Sequence, residues 1–367
     1  MKVGFGLYQH MLKEENYKFA RQAGATHIVA HLTDYFYGSE QQEKNDQPVG
    51  NVSTGWGKVR ETELWSYEEL DQLKQKMAEY GLELAALENI SPAFWHDILL
   101  AGPKRDEQIE DIKTLVRNMG KAGIPVLGYN FSLAGVTGRI KGPFARGNAY
   151  SVGMDGPSEA LNEPIPKGMV WNMIYDSSLL QKGLLESISH DELLQRYKYF
   201  LDKLLPVAEE ANVKLALHPD DPPLKELRKQ PRIGYYPRHY KEIMDLHKSP
   251  YHVMELCLGT IAEMEEGDIF KTVDYFARRD KIGYIHFRNI RGSVSYYKET
   301  FIDEGDVDMP GVLNILKENN YEGILIPDHT PQMSCDAPWH AGMAYAMGYI
   351  NGLLQMLNNK EKRDKSL

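Results

Sequence analysis

Four residues whose side chains bind transition metals stand in the second half of the chain, each at the end of a short aliphatic run. His218 closes Lys214-Leu215-Ala216-Leu217-His218 and Cys257 closes Met254-Glu255-Leu256-Cys257. His286 closes Gly283-Tyr284-Ile285-His286, and Asp328 follows Leu325-Ile326-Pro327. They are 39, 29 and 42 residues apart, each about one strand plus one helix. Two imidazoles, a thiolate and a carboxylate make a complete ligand set for one divalent transition metal, with further positions left for substrate or water. Each residue alone has a plainer explanation: a cysteine in an apolar strand is usually a small buried hydrophobe, and a strand-end histidine a satisfied polar group. The four together, at one geometric level, point to a metal site.

Their neighbours are also suited to chemistry. His218-Pro219-Asp220-Asp221-Pro222-Pro223 makes a stiff polar loop just past a strand. His286-Phe287-Arg288-Asn289 sets a guanidinium beside a ligand, where it can hold a carboxylate by two parallel hydrogen bonds. A surface ion pair is the plainer reading of Arg288. Pro327-Asp328-His329 puts an imidazole next to a ligand, where it can support that ligand or move protons near neutral pH.

The elements that must position these residues follow from the same runs. Eight short apolar segments read as buried parallel strands, over residues 2–7, 26–32, 83–88, 124–130, 213–218, 252–257, 282–287 and 323–327. Helical patterns lie between them, as at 68–80, 106–121, 191–211 and 307–319. Gly24, Gly81 and Gly123 stand just before strands, as left-handed helix C-caps do. Strict alternation of strand and helix predicts an α/β fold, a single (β/α)8 TIM barrel over residues 1–357 with a polar C-terminal tail over 358–367. Four strand-end residues then converge at the mouth of strands five to eight. The long irregular segments, 33–65 and 131–189, follow strands two and four, so they enlarge the face where barrel active sites are built, and the first is expected to act as a lid or a subunit contact. An open doubly wound sheet is the main alternative, but no Gly-x-Gly-x-x-Gly follows a strand.

Composition narrows the function classes. A formal charge of -10, with no basic stripe interleaved with aromatics, argues against nucleic acid as a partner. No apolar stretch approaches a membrane span, and a strand-like run beginning at Met1 leaves no room for a signal peptide, so a cytoplasmic protein is expected. Two cysteines, Cys257 and Cys335, are too few for a disulfide scaffold.

With these motifs in hand, the chain resembles bacterial mannonate dehydratases, metal-dependent barrels of the xylose isomerase-like group. The resemblance runs nearly end to end. It rests on Arg21-Gln22-Ala23-Gly24-Ala25-Thr26, Tyr129-Asn130-Phe131, the proline-flanked Asp220-Asp221, Cys257-Leu258-Gly259-Thr260, His286-Phe287-Arg288-Asn289, Gly305-Asp306-Val307-Asp308-Met309 and Pro327-Asp328-His329. It implies that His218, Cys257, His286 and Asp328 hold one divalent metal, Mn2+ or Fe2+. The reaction it implies is loss of water from an aldonate such as mannonate, giving a 2-keto-3-deoxy acid, as in hexuronate degradation. Such a reaction needs a base for the proton alpha to the carboxylate and an acid for the departing C3 hydroxyl. His329 is the first candidate for one role and a tyrosine from Tyr296, Tyr297 and Tyr345, with Tyr345 preferred, for the other. Substrate contacts are expected from Asn130, Asp220, Arg288 and Asn289, and a homodimer or homotetramer is expected.

The chain also departs from the family pattern. Gly6-Leu7-Tyr8 stands where the family has Arg-Trp-Tyr, Ile326 stands where an arginine precedes Pro-Asp-His, Thr330 replaces a glycine, and Gly342-Met343 replaces Gly-Tyr. Two arginines lost beside a kept metal set imply a divergent member with a different acid sugar or a different reaction. A metal-dependent sugar isomerase or epimerase, and a non-catalytic metal-binding sugar sensor, are the alternatives.

Overall fold

The computed structural model describes residues 1–39 and 55–364. Eight parallel strands close into a barrel: β1 (Lys2–Leu7), β2 (His27–His31), β3 (Glu83–Glu88), β4 (Val126–Tyr129), β5 (Lys214–Leu217), β6 (His252–Cys257), β7 (Ile282–His286) and β8 (Ile324–Ile326). Each pairs with its neighbours in sequence, and β8 pairs with β1. The longer helices between and after them are α1 (Glu14–Gln22), α2 (Tyr67–Ala78), α3 (Arg105–Ala122), α4 (His190–Ala211), α5 (Pro237–Asp245), α6 (Ile269–Ala277), α7 (Met309–Glu318) and α8 (Pro338–Asp364). All eight expected strands are present, with ends shifted by at most two residues.

The strands are continuous apolar runs because both faces are covered. Outward side chains pack under the helices, while Val29, Ala85, Ala86, Val126, Ala216, Val253, Tyr284, Ile324 and Ile326 fill the barrel interior. Local signals agree with the topology. Ser66 and Glu69 form a reciprocal capping box at the start of α2, and Ser189 caps α4. Gly24, Gly81 and Gly123 adopt φ of 96°, 70° and 72°, as their place before strands predicted.

Two expectations change. The segments after β2 and β4 are not wholly irregular. Ile140–Ala145 and Ala149–Gly153 form a hairpin that joins Lys298–Glu299 and Ile290–Arg291 in a four-stranded sheet. Gly57–Lys58 pairs with Met173–Ile174, which pairs with Met169–Val170. The two insertions therefore brace one another, and Trp56, Arg139 and Trp171 from them line the cavity at the barrel mouth together with His218 and His286. Residues 41–51, the centre of the expected lid, lie outside the described residues. Helix α8 runs to Asp364, across the boundary placed at residue 357, because nothing in 358–364 is a glycine or proline that would stop it.

Candidate metal centre and active site

Strand register brings the ligand-type residues together. Cys257 pairs with His286, and His286 with Ile326, so the ends of β6, β7 and β8 lie at one level. The ligand atoms of His218, Cys257 and His286 all lie within 4.8 Å of one another. Asp328 comes in one residue beyond Pro327. Its φ of 59° turns the chain sharply after β8, a conformation that aspartate tolerates better than most residues. Its Oδ2 lies 3.3 Å from His286 Nδ1. His218 Nδ1 is 2.5 Å from the Pro219 carbonyl oxygen, which leaves Nε2 as the ligand nitrogen.

The donor set fits a divalent cation. His286 Nδ1 is buried without a hydrogen bond although a carboxylate oxygen stands 3.3 Å away, and a shared cation satisfies both. Burial disfavours the Cys257 thiolate, but Arg288, His218 and His286 outweigh it and hold the thiol well below its ordinary range. Burial likewise opposes ionisation of Asp328, yet His286 and His329 keep its carboxyl well below the usual carboxylate value.

Beneath this set lies a layer of carboxylates that sequence reasoning missed. Glu88 Oε2 and Glu255 Oε1 stand 3.2 and 3.1 Å from His286 Nε2, and Glu88, Glu255 and His286 form a second group with metal-ligand spacing. Tyr284 donates to Glu88 Oε2 at 3.0 Å. Burial and the neighbouring Glu88 push Glu255 up to about 8. Any side chain at position 128 would collide with Tyr284 and Glu255, so Gly128 makes room for both.

The expected substrate residues divide. Asn130 lines the cavity and donates to Asn89 Oδ1 at 3.0 Å. Asp220 does not line it. Its carboxylate accepts from Arg232 Nε at 2.7 Å, Ile233 N at 2.9 Å, Gly234 N at 2.7 Å and Ser132 Oγ, so it is consumed in holding the loop. Asp221, its neighbour, lines the cavity instead. Asn289 is buried and ties Ile302 O and Val307 O, each at 3.0 Å. Arg288 is buried among four carboxylates, with Glu263 at 3.0 Å, Asp221 at 3.1 Å, Asp328 at 3.3 Å and Glu299 at 3.4 Å. It balances the charge of the ligand shell and offers no face to the cavity. Gly259, which has no side chain to collide with the guanidinium, admits it.

His329 lines the cavity, with Nδ1 2.7 Å from Glu299 Oε2 and Nε2 3.1 Å from Asp328 Oδ2. The tyrosines do not reach it. Tyr345 packs on Phe301, its hydroxyl 3.3 Å from Arg146, outside the cavity lining; Tyr296 is exposed; Tyr297 is buried and accepts from Arg139 Nε at 3.0 Å. Arg139, from the insertion after β4, supplies a cation at the mouth and is paired with Asp221 at 2.5 Å. Gly6 and Ile326, where the family pattern has arginines, are packing neighbours: a Cβ on Gly6 would stand 3.5 Å from Ile326 Cδ1.

Comparison with known proteins agrees with this geometry. The model of the D-mannonate dehydratase family matches residues 16–364. A mannonate dehydratase from Streptococcus pneumoniae is 31% identical over 312 residues, covering 80% of this chain and 83% of the relative. One from Thermotoga neapolitana is 30% identical over 347 residues, covering 82% and 89%. The crystal structure of mannonate dehydratase from Streptococcus suis serotype 2 superposes with a TM-score of 0.73 at 26% identity, covering 96% of this chain and 92% of that one. With a barrel, a ligand cluster and a family match that spans nearly its whole length, the chain belongs to the mannonate dehydratase family of hydro-lyases.

Proposed function

We propose that this chain dehydrates an aldonate of the mannonate type to a 2-keto-3-deoxy acid, using one divalent metal, Mn2+ or Fe2+, held by His218, Cys257, His286 and Asp328. The carrying observation is the convergence of the first three within 4.8 Å, with Asp328 against His286, at the ends of adjacent strands. When bound, the metal supplies Lewis-acid polarisation of the substrate carboxylate and the adjacent hydroxyl.

The chain's own residues do the rest. The C2 proton passes to a base, the C2–H electron pair forms a C2–C3 double bond, and the C3–O bond breaks. The departing oxygen takes a proton and leaves as water, and the enol becomes the ketone. His329 is the proton-transfer residue, because its imidazole faces the cavity while Glu299 and Asp328 fix its plane. Arg139, which lines the cavity together with Arg232, receives the substrate carboxylate from the insertion, in place of what Gly6 and Ile326 do not provide. Asn130 and Asn89 offer hydrogen bonds to hydroxyls.

The apolar contact between Gly6 and Ile326 favours one second reading, an isomerase or epimerase acting on a neutral sugar with the same metal. An assay for 2-keto-3-deoxy products over a panel of aldonates, beside a ketose assay over neutral sugars, decides between them. Product from aldonates sustains the proposal, and ketose formation alone overturns it. The proposal includes a cytoplasmic homodimer or homotetramer, which light scattering on the purified protein tests. Among the described residues no helix is long and apolar enough to cross a membrane.

A further inference from the structure

His286 belongs to two clusters at once, and its two ring nitrogens face different partners. Nδ1 faces Asp328 Oδ2 at 3.3 Å. Nε2 lies between Glu255 Oε1 at 3.1 Å and Glu88 Oε2 at 3.2 Å. A neutral imidazole carries one proton, so whichever nitrogen donates a hydrogen bond leaves the other as the ligand. We infer that Glu88 and Glu255 are positioning residues: they hold the His286 proton on Nε2 and so leave the Nδ1 lone pair, which faces Asp328, to ligate the proposed metal.

Three observations carry this. First, Nδ1 has no hydrogen bond although it is buried, whereas Nε2 has one to Glu88. Second, Glu255 Oε1 stands 3.1 Å from His286 Nε2 and 4.0 Å from His218 Nε2, so the His286 ring N–H is the nearer imidazole donor to that oxygen. Third, the carboxylates are tightly packed, with Glu88 at the cavity wall and Glu255 behind it. Glu255 is completely buried, Glu88 is 5% exposed, and Tyr284 and the bare Gly128 complete the packing around them. Carboxylates behind a ligating imidazole fix its tautomer and raise its basicity. His31, 3.7 Å from the other oxygen of Glu88, anchors the layer from β2.

This inference rests on the proposed metal centre, and the experiment separates the two. The full chain and its variants Glu88→Gln, Glu88→Ala, Glu255→Gln, Glu255→Ala and Cys257→Ser are loaded with Co2+. Chelator competition gives the dissociation constant, and thiolate-to-cobalt charge-transfer absorption reports the sulfur ligand. A neutral amide holds the ring N–H less strongly than a carboxylate, and a methyl group not at all. Affinity should fall roughly 10-fold in each Gln variant and roughly 100-fold in each Ala variant, with the charge-transfer band kept. The Cys257→Ser variant should lose the band. Should an alanine variant fail to fold, its Gln counterpart decides alone. Wild-type affinity in the Gln variants overturns the inference. So does a Glu255→Gln protein that binds no Co2+ while Cys257→Ser still does, because the cation would then sit in the inner layer. A wild-type chain that takes up no Co2+ defeats the metal centre itself.

Discussion

Replacing Arg288 by glutamine tests whether that residue serves the scaffold or the substrate. The guanidinium is 3% exposed and reaches Glu263, Asp221, Asp328 and Glu299 within 3.4 Å. Removing it leaves a buried cluster of carboxylates without its central counter-charge. Breaking a buried ion pair from one side costs roughly 3 to 5 kcal/mol. With an unfolding entropy of about 2.1 cal/mol/K per residue over 367 residues, the midpoint of thermal unfolding should fall by about 4 to 6 °C. Arg288→Lys should recover only part of this, since an ammonium cannot fork to Glu263 and Asp221 together. The sign of a metal effect follows from the same charges. A site stripped of a cation is more negative, so adding Mn2+ should raise the melting midpoint of Arg288→Gln more than that of wild type and narrow the gap. Scanning calorimetry with chelator and then with Mn2+ reads both quantities. A midpoint within 1 °C of wild type under chelator, combined with a raised KM for the aldonate, would refute the reasoning and return Arg288 to substrate binding.

With the metal site saturated, His329→Asn should lower kcat by roughly 10^2 to 10^4 while metal content is unchanged, and Tyr345→Phe should keep wild-type kcat. Steady-state kinetics with elemental analysis checks both. Arg139→Gln should raise KM for an aldonate by roughly 10- to 100-fold, the equivalent of about 1.5 to 3 kcal/mol for a hydrogen bond to a charged group, and leave KM for a neutral sugar unchanged. Burial, aided by Lys281, pushes His252 down to about 3, and its Nε2 is held by Tyr197 at 2.9 Å. A folded-state value below the unfolded one means stability is full above pH 6.5 and is lost as pH falls toward 3, because only the unfolded chain takes the proton. The loss is about 2 kcal/mol by pH 5. Urea unfolding at pH 7 and pH 5 should show a smaller difference for His252→Gln than for wild type.

The proposed metal ligands could be read from the chain because each ends or closely follows an apolar run, and apolar runs are the strands. The positions of Cys257 and His286 at one level follow from the parallel register once the barrel is recognised, and His218 comes one residue after Leu217, which pairs with Met254. Other assignments failed because neighbours in a loop differ in direction, not in type. Asp220 and Asp221 are alike in sequence, yet one is spent on Arg232 and two backbone amides and the other faces the cavity. Tyr345 shares its helix with other aromatic residues and nothing in the spacing shows that α8 lies away from the cavity. Arg139 sits in a segment with no periodicity, where only pairing between the two insertions brings it to the mouth.

Glu88 and Glu255 are the instructive omissions, because a signal for them was present. Glu88 ends Leu84-Ala85-Ala86-Leu87-Glu88 and reads as a solvated strand boundary, as Glu83 at the other end of β3 is. Glu255 has no such excuse: it lies inside Met254-Glu255-Leu256-Cys257, a strand covered on both faces. A carboxylate cannot be left unpaired in an apolar interior, since the cost of burying it alone far exceeds what one strand contributes. A glutamate two residues before a ligand on the same strand therefore has to meet a donor inside the barrel, on the face that Cys257 also occupies. The available donors on adjoining strand ends are imidazoles. The carboxyl inside β6 thus requires a partner such as His286, 3.1 Å from Glu255 Oε1.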